Sequence, residues 1–175
     1  LLGTHYTRSR GPFSGQVEGS MAVLEAHGIA PRADGATAID LGCGAGAQSV
    51  ALAKLGFSVV AIDQCAALLE ELEGHVPQGA QVERVQGDLL ALDAHCVSPA
   101  QAIVCMGDTL THLASPTEVE QLFAVCAAAL APGGHLVVTY RDLSFTLEGV
   151  DRFIPVFSDA DMIFTCFLEY APDVV

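Results

Sequence analysis

Apolar positions fall into two alternating kinds of stretch along this chain. Short runs at residues 37–41, 57–62, 81–86, 102–106 and 135–140 are rich in Val, Ile and Ala, and they close on an acid, a glycine or a polar loop. Such runs predict strands, the continuous ones being typical of a parallel sheet buried on both faces. Between them lie segments with helical signals. Val17, Met21 and Leu24 share one helical face in residues 16–27, with Gly28 as the stop. Residues 47–55 are strong helix formers halted by Gly56, and residues 65–72 continue the pattern. Ser115-Pro116-Thr117-Glu118 is a capping box with Pro at the first helical position, and it opens a helix over 116–130. Pro132-Gly133-Gly134 reads as the turn into the fifth strand.

Strands alternating with helices at this spacing predict an α/β fold with a doubly wound, mostly parallel sheet flanked by helices. After Asp142 the pattern changes. Residues 152–157 and 162–170 read as two extended segments around Ser158-Asp159-Ala160-Asp161, which predicts an antiparallel C-terminal edge.

Composition narrows the partners. At 175 residues the chain is one domain's worth, long enough to bury a core without disulfides or metals. Its expected parts are an N-terminal lid or helix (1–30), a ligand-binding core (36–142) and the antiparallel edge (150–175). The net charge is −14, and positive charge is confined to Lys54 and six scattered arginines. Nucleic acid and anionic membranes need cationic surface, so neither is an expected partner. No run approaches the roughly 20 apolar residues of a membrane span. Six cysteines show neither a C-x-x-C pair nor zinc spacing, which predicts no metal site and buried thiols in a reducing cytoplasm.

The chemistry gathers at the strand ends. The first strand runs into Gly42-Cys43-Gly44-Ala45-Gly46, and a helix follows at once. Backbone N–H groups are offered to an anionic or nucleotide ligand at such a turn, and glycine lets the ligand come close. Asp63, closing the second strand, is placed to accept hydrogen bonds from both hydroxyls of a ribose. Asp88, closing the third, can accept from an exocyclic amine such as that of adenine. Singly, an acid at a strand end is more often a helix cap, and a glycine-rich turn is often only a turn. Together, in register with the strands, they predict a nucleoside-type cofactor.

Gly42-x-Gly44-x-x-Ala47 with Asp63 about 20 residues on also fits a dinucleotide fingerprint. Three details favour a different cofactor. Asp40 before the turn would repel a pyrophosphate but suits a cationic amino-acid moiety. Gly46 comes one residue early for the dinucleotide pattern. Gly87-Asp88 and Pro132-Gly133-Gly134 have no assigned role in an NAD site.

With these residues in view, the sequence resembles the class I S-adenosylmethionine-dependent methyltransferases of small-molecule type. The stretch AIDLGCGAG (38–46) resembles that family's first motif. The acids of VVAID (to Asp63) and VQGD (to Asp88), the loop IVCMGDTLTHL and the turn in LAPGGHLVV match the later motifs in order. The resemblance covers residues 16–141 and implies a Rossmann-like sheet with S-adenosylmethionine as cofactor. It implies that Gly42 and Gly44 contact the cofactor's methionine part, with Asp40 supporting the turn. Asp63 and Gln64 would hold the ribose, and Asp88 and Leu89 the adenine. Met106 and Gly107 would pass under the sulfonium, and Tyr6 would cover the cofactor from the N-terminal segment. The family's sheet ordinarily has seven strands, so the resemblance also implies either a further C-terminal piece or a truncated, reduced edge.

The methyl acceptor would be a small molecule. A sulfonium methyl is already activated, so transfer asks for in-line positioning more than for acid–base groups. If the acceptor needs a base, His112 in the fourth-strand loop is the first candidate, followed by Asp108, Tyr140, Arg141 and His5. Two alternatives stand beside methyl transfer: an NAD(P)-dependent oxidoreductase, and a non-catalytic domain that binds a cofactor or a partner.

Overall fold

A computed structural model describes residues 7–94, 99–142 and 145–170. Helix α1 (Phe13–Ala26) leads into β1 (Thr37–Leu41). Then follow α2 (Ala47–Lys54), β2 (Ser58–Asp63), α3 (Ala66–His75), β3 (Val82–Gln86), β4 (Ala100–Cys105), α4 (Pro116–Ala129) and β5 (Leu130–Val138). A hairpin of β6 (Phe153–Ser158) and β7 (Ile163–Phe167) comes last. Strands β1 to β5 form one parallel sheet in the order β3-β2-β1-β4-β5. The order reverses beside β1, and it is there that an open α/β sheet offers a crevice at the strands' C-terminal ends.

Period-two alternation along β1 assigns each residue to a layer. Ala38 faces a cluster built with Val17 and Leu24 of α1, Val50 and Leu52 of α2, and Leu69 and Leu72 of α3. Ile39 and Leu41 face the opposite cluster, with Leu122 and Cys126 of α4 and Leu92. Leu24, Ile39, Leu52 and Leu72 are fully buried, each stabilising the fold by about 1.5–3 kcal/mol. Asp40 therefore shares the α2 face with Ala38, a carboxylate inside an otherwise apolar layer.

The five expected strands and the main helices are present, with ends shifted by a few residues. One shift has a structural cause. Strand β5 starts at Leu130 rather than after the glycines, because Leu130 already pairs with Ala100 before the register slips. Pro132-Gly133-Gly134 is thus an irregularity inside the strand. A Cβ on Gly134 would come within 3.0 Å of the Ala131 and Ala100 carbonyl oxygens. Short 3₁₀ turns at Leu89–Ala94, Thr109–His112 and Gly149–Arg152 are not visible in the apolar pattern.

The antiparallel pair forms as a two-stranded sheet of its own. Phe153 and Phe167 pack ring to ring at 4.6 Å, and the Arg152 guanidinium lies over Phe167 at 4.5 Å. Arg8 ties the N-terminal turn to this hairpin through Asp159, at 2.7 Å, and Asp161, at 3.3 Å. Among the described residues no helix is long and apolar enough to cross a membrane. No group of three His, Cys, Asp or Glu among them could hold a metal.

Candidate active site

The turn after β1 is built from backbone hydrogen bonds that only an αL-permissive sequence allows. Gly42, Gly44 and Gly46 have φ of +68°, +54° and +90°, a region in which a Cβ is strained. The Gly42 and Cys43 amides both donate to the Ile62 carbonyl at 2.8 and 3.0 Å, pinning the turn to the end of β2. Gly46 donates to the Cys43 carbonyl at 2.9 Å and starts α2.

Asp63 closes the same junction. Its Oδ2 accepts the Gly44 amide at 2.8 Å, and its Oδ1 accepts the Cys65 amide at 2.8 Å. An ionised carboxylate has about four lone-pair sites, so one remains on each oxygen for a ligand hydroxyl.

Asp40 lies beneath the turn, 1 % exposed, its Oδ2 accepting from the Ser49 hydroxyl at 2.6 Å. Burial pushes its carboxyl up to about 7, opposed by the Ser49 hydrogen bonds and assisted by the nearby Asp63 charge. Cys43 and Cys105 are buried thiols, the latter pushed up to about 12 by desolvation, and both stay protonated.

Above the turn is a cleft of about 300 Å³, at the lower end of the usual size of small-molecule sites. Gly42, Asp63, Gln64, Asp88, Leu89 and His112 line it. Asp88 is exposed and lines the cleft, and its Oδ1 accepts the Leu90 amide at 2.9 Å, which caps the following 3₁₀ turn. Thr109 sits opposite Gly42, where its side chain occupies the space a Cβ would need. Its hydroxyl donates to the Met106 carbonyl at 3.1 Å.

The sequence-derived residues thus separate by position. Gly42, Asp63, Gln64, Asp88 and Leu89 meet in the cleft. Gly44 is buried with its amide held by Asp63, Asp40 supports the turn from below, and Met106 packs on the core. His112 lies on the wall with Leu113 and Glu118. Asp108 and Arg141 form a separate pair at 2.8 Å beyond β4 and β5, beside the exposed Tyr140. Gly107 is fixed there by donating to Thr139 Oγ1 at 2.7 Å. Tyr6 and His5 lie outside the described residues. Ser49 and Thr109 carried no local signal as site residues, because their partners Asp40 and Gly42 lie on other elements.

The donor set fits S-adenosylmethionine. Gly42 lines the cleft where Thr109 packs against it and leaves no room for a Cβ, Asp63 keeps acceptor sites for a ribose, and Ile62, Leu89, Leu90 and Leu113 offer apolar wall for a flat base. This cleft suits a dinucleotide's pyrophosphate poorly. The wall carries Asp63, Asp88 and Glu118, and no Lys or Arg is among the described residues that line it.

Fold and site together define a class I S-adenosylmethionine-dependent methyltransferase domain. A family model described as a methyltransferase domain matches residues 38–134, and the chain belongs to that family. Among curated relatives, the ubiquinone biosynthesis O-methyltransferase of Xylella fastidiosa is 39% identical over 109 residues, 60% of this chain and 42% of the relative. The protein of the same name from Xanthomonas axonopodis pv. citri is 34% identical over 106 residues, 60% of this chain and 43% of its own. The chain therefore spans under half the length of these relatives. An amino pentose methyltransferase from Micromonospora echinaspora, solved with S-adenosylmethionine bound, superposes with a TM-score of 0.65 at 23% identity. That match covers 91% of this chain and 64% of the other, and it shows the shared fold. A TehB-like S-adenosylmethionine-dependent methyltransferase from Corynebacterium glutamicum gives 0.55 at 27% identity, covering 69% and 60%.

Proposed function

We propose that this domain transfers the methyl group of S-adenosylmethionine to a small-molecule acceptor. The observation that carries the reading is Asp63, which holds the glycine turn while keeping acceptor capacity towards a cleft with no Lys or Arg among its described lining residues. In this reading Asp63 and Gln64 hold the ribose hydroxyls, and Asp88 with Leu89 reads the base. The turn at Gly42 and Gly44 faces the methionine part, and Tyr6 covers the site. When bound, the cofactor supplies a methyl on a sulfonium, already activated for displacement.

The chain's own task is then positioning and exclusion of water. The acceptor sits beyond β4 and β5, where the Asp108–Arg141 pair and Tyr140 line the approach. We read the N-terminal turn, fastened to the hairpin by Arg8, as its lid. His112 lines the same cleft with Leu113 and Glu118 and is the first candidate for a base where the acceptor needs one. A hydroxyl is the first acceptor group to test, because the curated relatives named above are O-methyltransferases. We read the chain as one domain with lid, core and hairpin edge, acting in the cytoplasm on a partner that is neither nucleic acid nor membrane. The acidic balance and the five free cysteines among the described residues support this.

Calorimetric titration with S-adenosylhomocysteine and with NADH tests the cofactor. Binding of the first alone is expected, and binding of NADH alone would overturn the reading. Labelled cofactor offered with phenol, amine and carboxyl acceptors then tests transfer, and binding with no transfer to any acceptor would favour a non-catalytic domain.

A further inference from the structure

We propose that His75 is a positioning residue for the cofactor turn, an inference that rests on the methyl-transfer reading above. His75 closes α3, and its Nδ1 lies 3.1 Å from the Ala45 carbonyl oxygen. A carbonyl can only accept, so Nδ1 carries the proton and donates. On its other side the imidazole stacks on Phe13 of α1, with centroids 3.7 Å apart and planes 20° apart. The ring is thus held between the N-terminal helix and the glycine turn.

The bond matters because of which peptide unit it holds. The peptide joining Ala45 to Gly46 has two polar ends. Its N–H donates to the Cys43 carbonyl, and its C=O accepts from His75. One residue earlier, the Gly44 N–H is taken by Asp63. Three consecutive constraints therefore fix the turn, and a flip of the 45–46 peptide would break two of them. Helix α3 grips the same place a second time, because the Leu72 side chain fills the space beside Gly46 where a Cβ would lie. Without the imidazole that peptide is held at one end only. The turn then samples conformations that binding must select against, which weakens affinity without touching a ligand contact.

The test compares His75→Phe, which keeps a ring for Phe13 but has no donor, with His75→Asn, whose amide N–H replaces Nδ1–H. For the full chain, His75→Phe is expected to weaken S-adenosylhomocysteine binding about tenfold, the scale of one lost hydrogen bond, with His75→Asn restoring most of it. The loss should appear in KM for the cofactor, with kcat at saturating cofactor preserved. Hydrogen exchange at the Gly46 amide gives a second readout on the ligand-free chain, faster in His75→Phe and close to wild type in His75→Asn. Unchanged exchange in His75→Phe, or His75→Asn behaving like His75→Phe in both measurements, would overturn the inference. Failure of the wild type to bind S-adenosylhomocysteine would instead sink the functional reading, since the exchange experiment needs no ligand.

Discussion

Asp63 Oδ2 and the Gly44 amide, 19 residues apart in sequence, meet at 2.8 Å and lock the end of β2 to the glycine turn. The same carboxylate also caps the segment leading into α3 through Cys65. One side chain is therefore both a structural tie and the proposed ribose ligand.

Asp63→Ala should weaken S-adenosylhomocysteine binding by about 1–3 kcal/mol, the scale of hydrogen bonds to a charged group. It should also lower the ligand-free melting temperature, because the Gly44 and Cys65 amides lose their acceptor. Calorimetry and a thermal melt on the same sample separate the two effects. Unchanged affinity would remove Asp63 from the ribose.

Asp40 gives a pH dependence with a definite sign. Its native value is about 7, against about 3.9 for an unfolded Asp. Between these values the native state keeps a proton that the unfolded chain has released. This contribution to stability is therefore full below about pH 4 and falls as pH rises to about 7, by up to about 1.4 kcal/mol per pH unit. Asp40→Asn can still accept from Ser49 and does not titrate. Urea midpoints for wild type and variant, measured from pH 5 to 8, should diverge in favour of Asn as pH rises. Parallel curves would contradict the buried, proton-holding carboxyl.

Gly42→Ala combines two penalties. The αL conformation at φ +68° costs a residue with a Cβ about 1–2 kcal/mol, and the new methyl collides with Thr109. Cofactor affinity should fall with stability. Adding Thr109→Ala should relieve the steric part and leave the conformational part, a partial recovery visible in a double-mutant cycle. No recovery would mean that the clash is absorbed elsewhere.

Arg141→Ala is expected to leave the melting temperature almost unchanged, since an exposed ion pair such as Asp108–Arg141 contributes about 0–1 kcal/mol. If the pair lines the acceptor's approach, KM for the acceptor should rise while S-adenosylhomocysteine affinity holds. Loss of cofactor affinity instead would move Arg141 to the other side of the site.

Much of this architecture was legible because its signals are local. An apolar run into a glycine turn marked β1, one ending in an acid marked β2, and Ser115-Pro116-Thr117-Glu118 marked the start of α4, where Ser115 accepts the Glu118 amide at 3.3 Å. The glycine turn and Asp63 were legible for the same reason. What stayed hidden depends on long-range partners. No spacing rule links Ser49 to Asp40, His75 to Ala45 or Thr109 to Gly42. The start of β5 was misplaced because pairing with Ala100 extends it across glycines that locally read as a stop.

Thr109 has a consequence for the order of assembly. It fills the space opposite Gly42 from a position 67 residues further along the chain. The turn's own partners, Ile62, Asp63 and His75, all lie within 30 residues of it and can gather earlier. The cleft wall exists only once β4 has crossed over to dock beside β1, a non-local contact of the kind that slows folding. In a refolding experiment, ligand binding should therefore return after the bulk of the helical signal, making S-adenosylhomocysteine a probe of the last step.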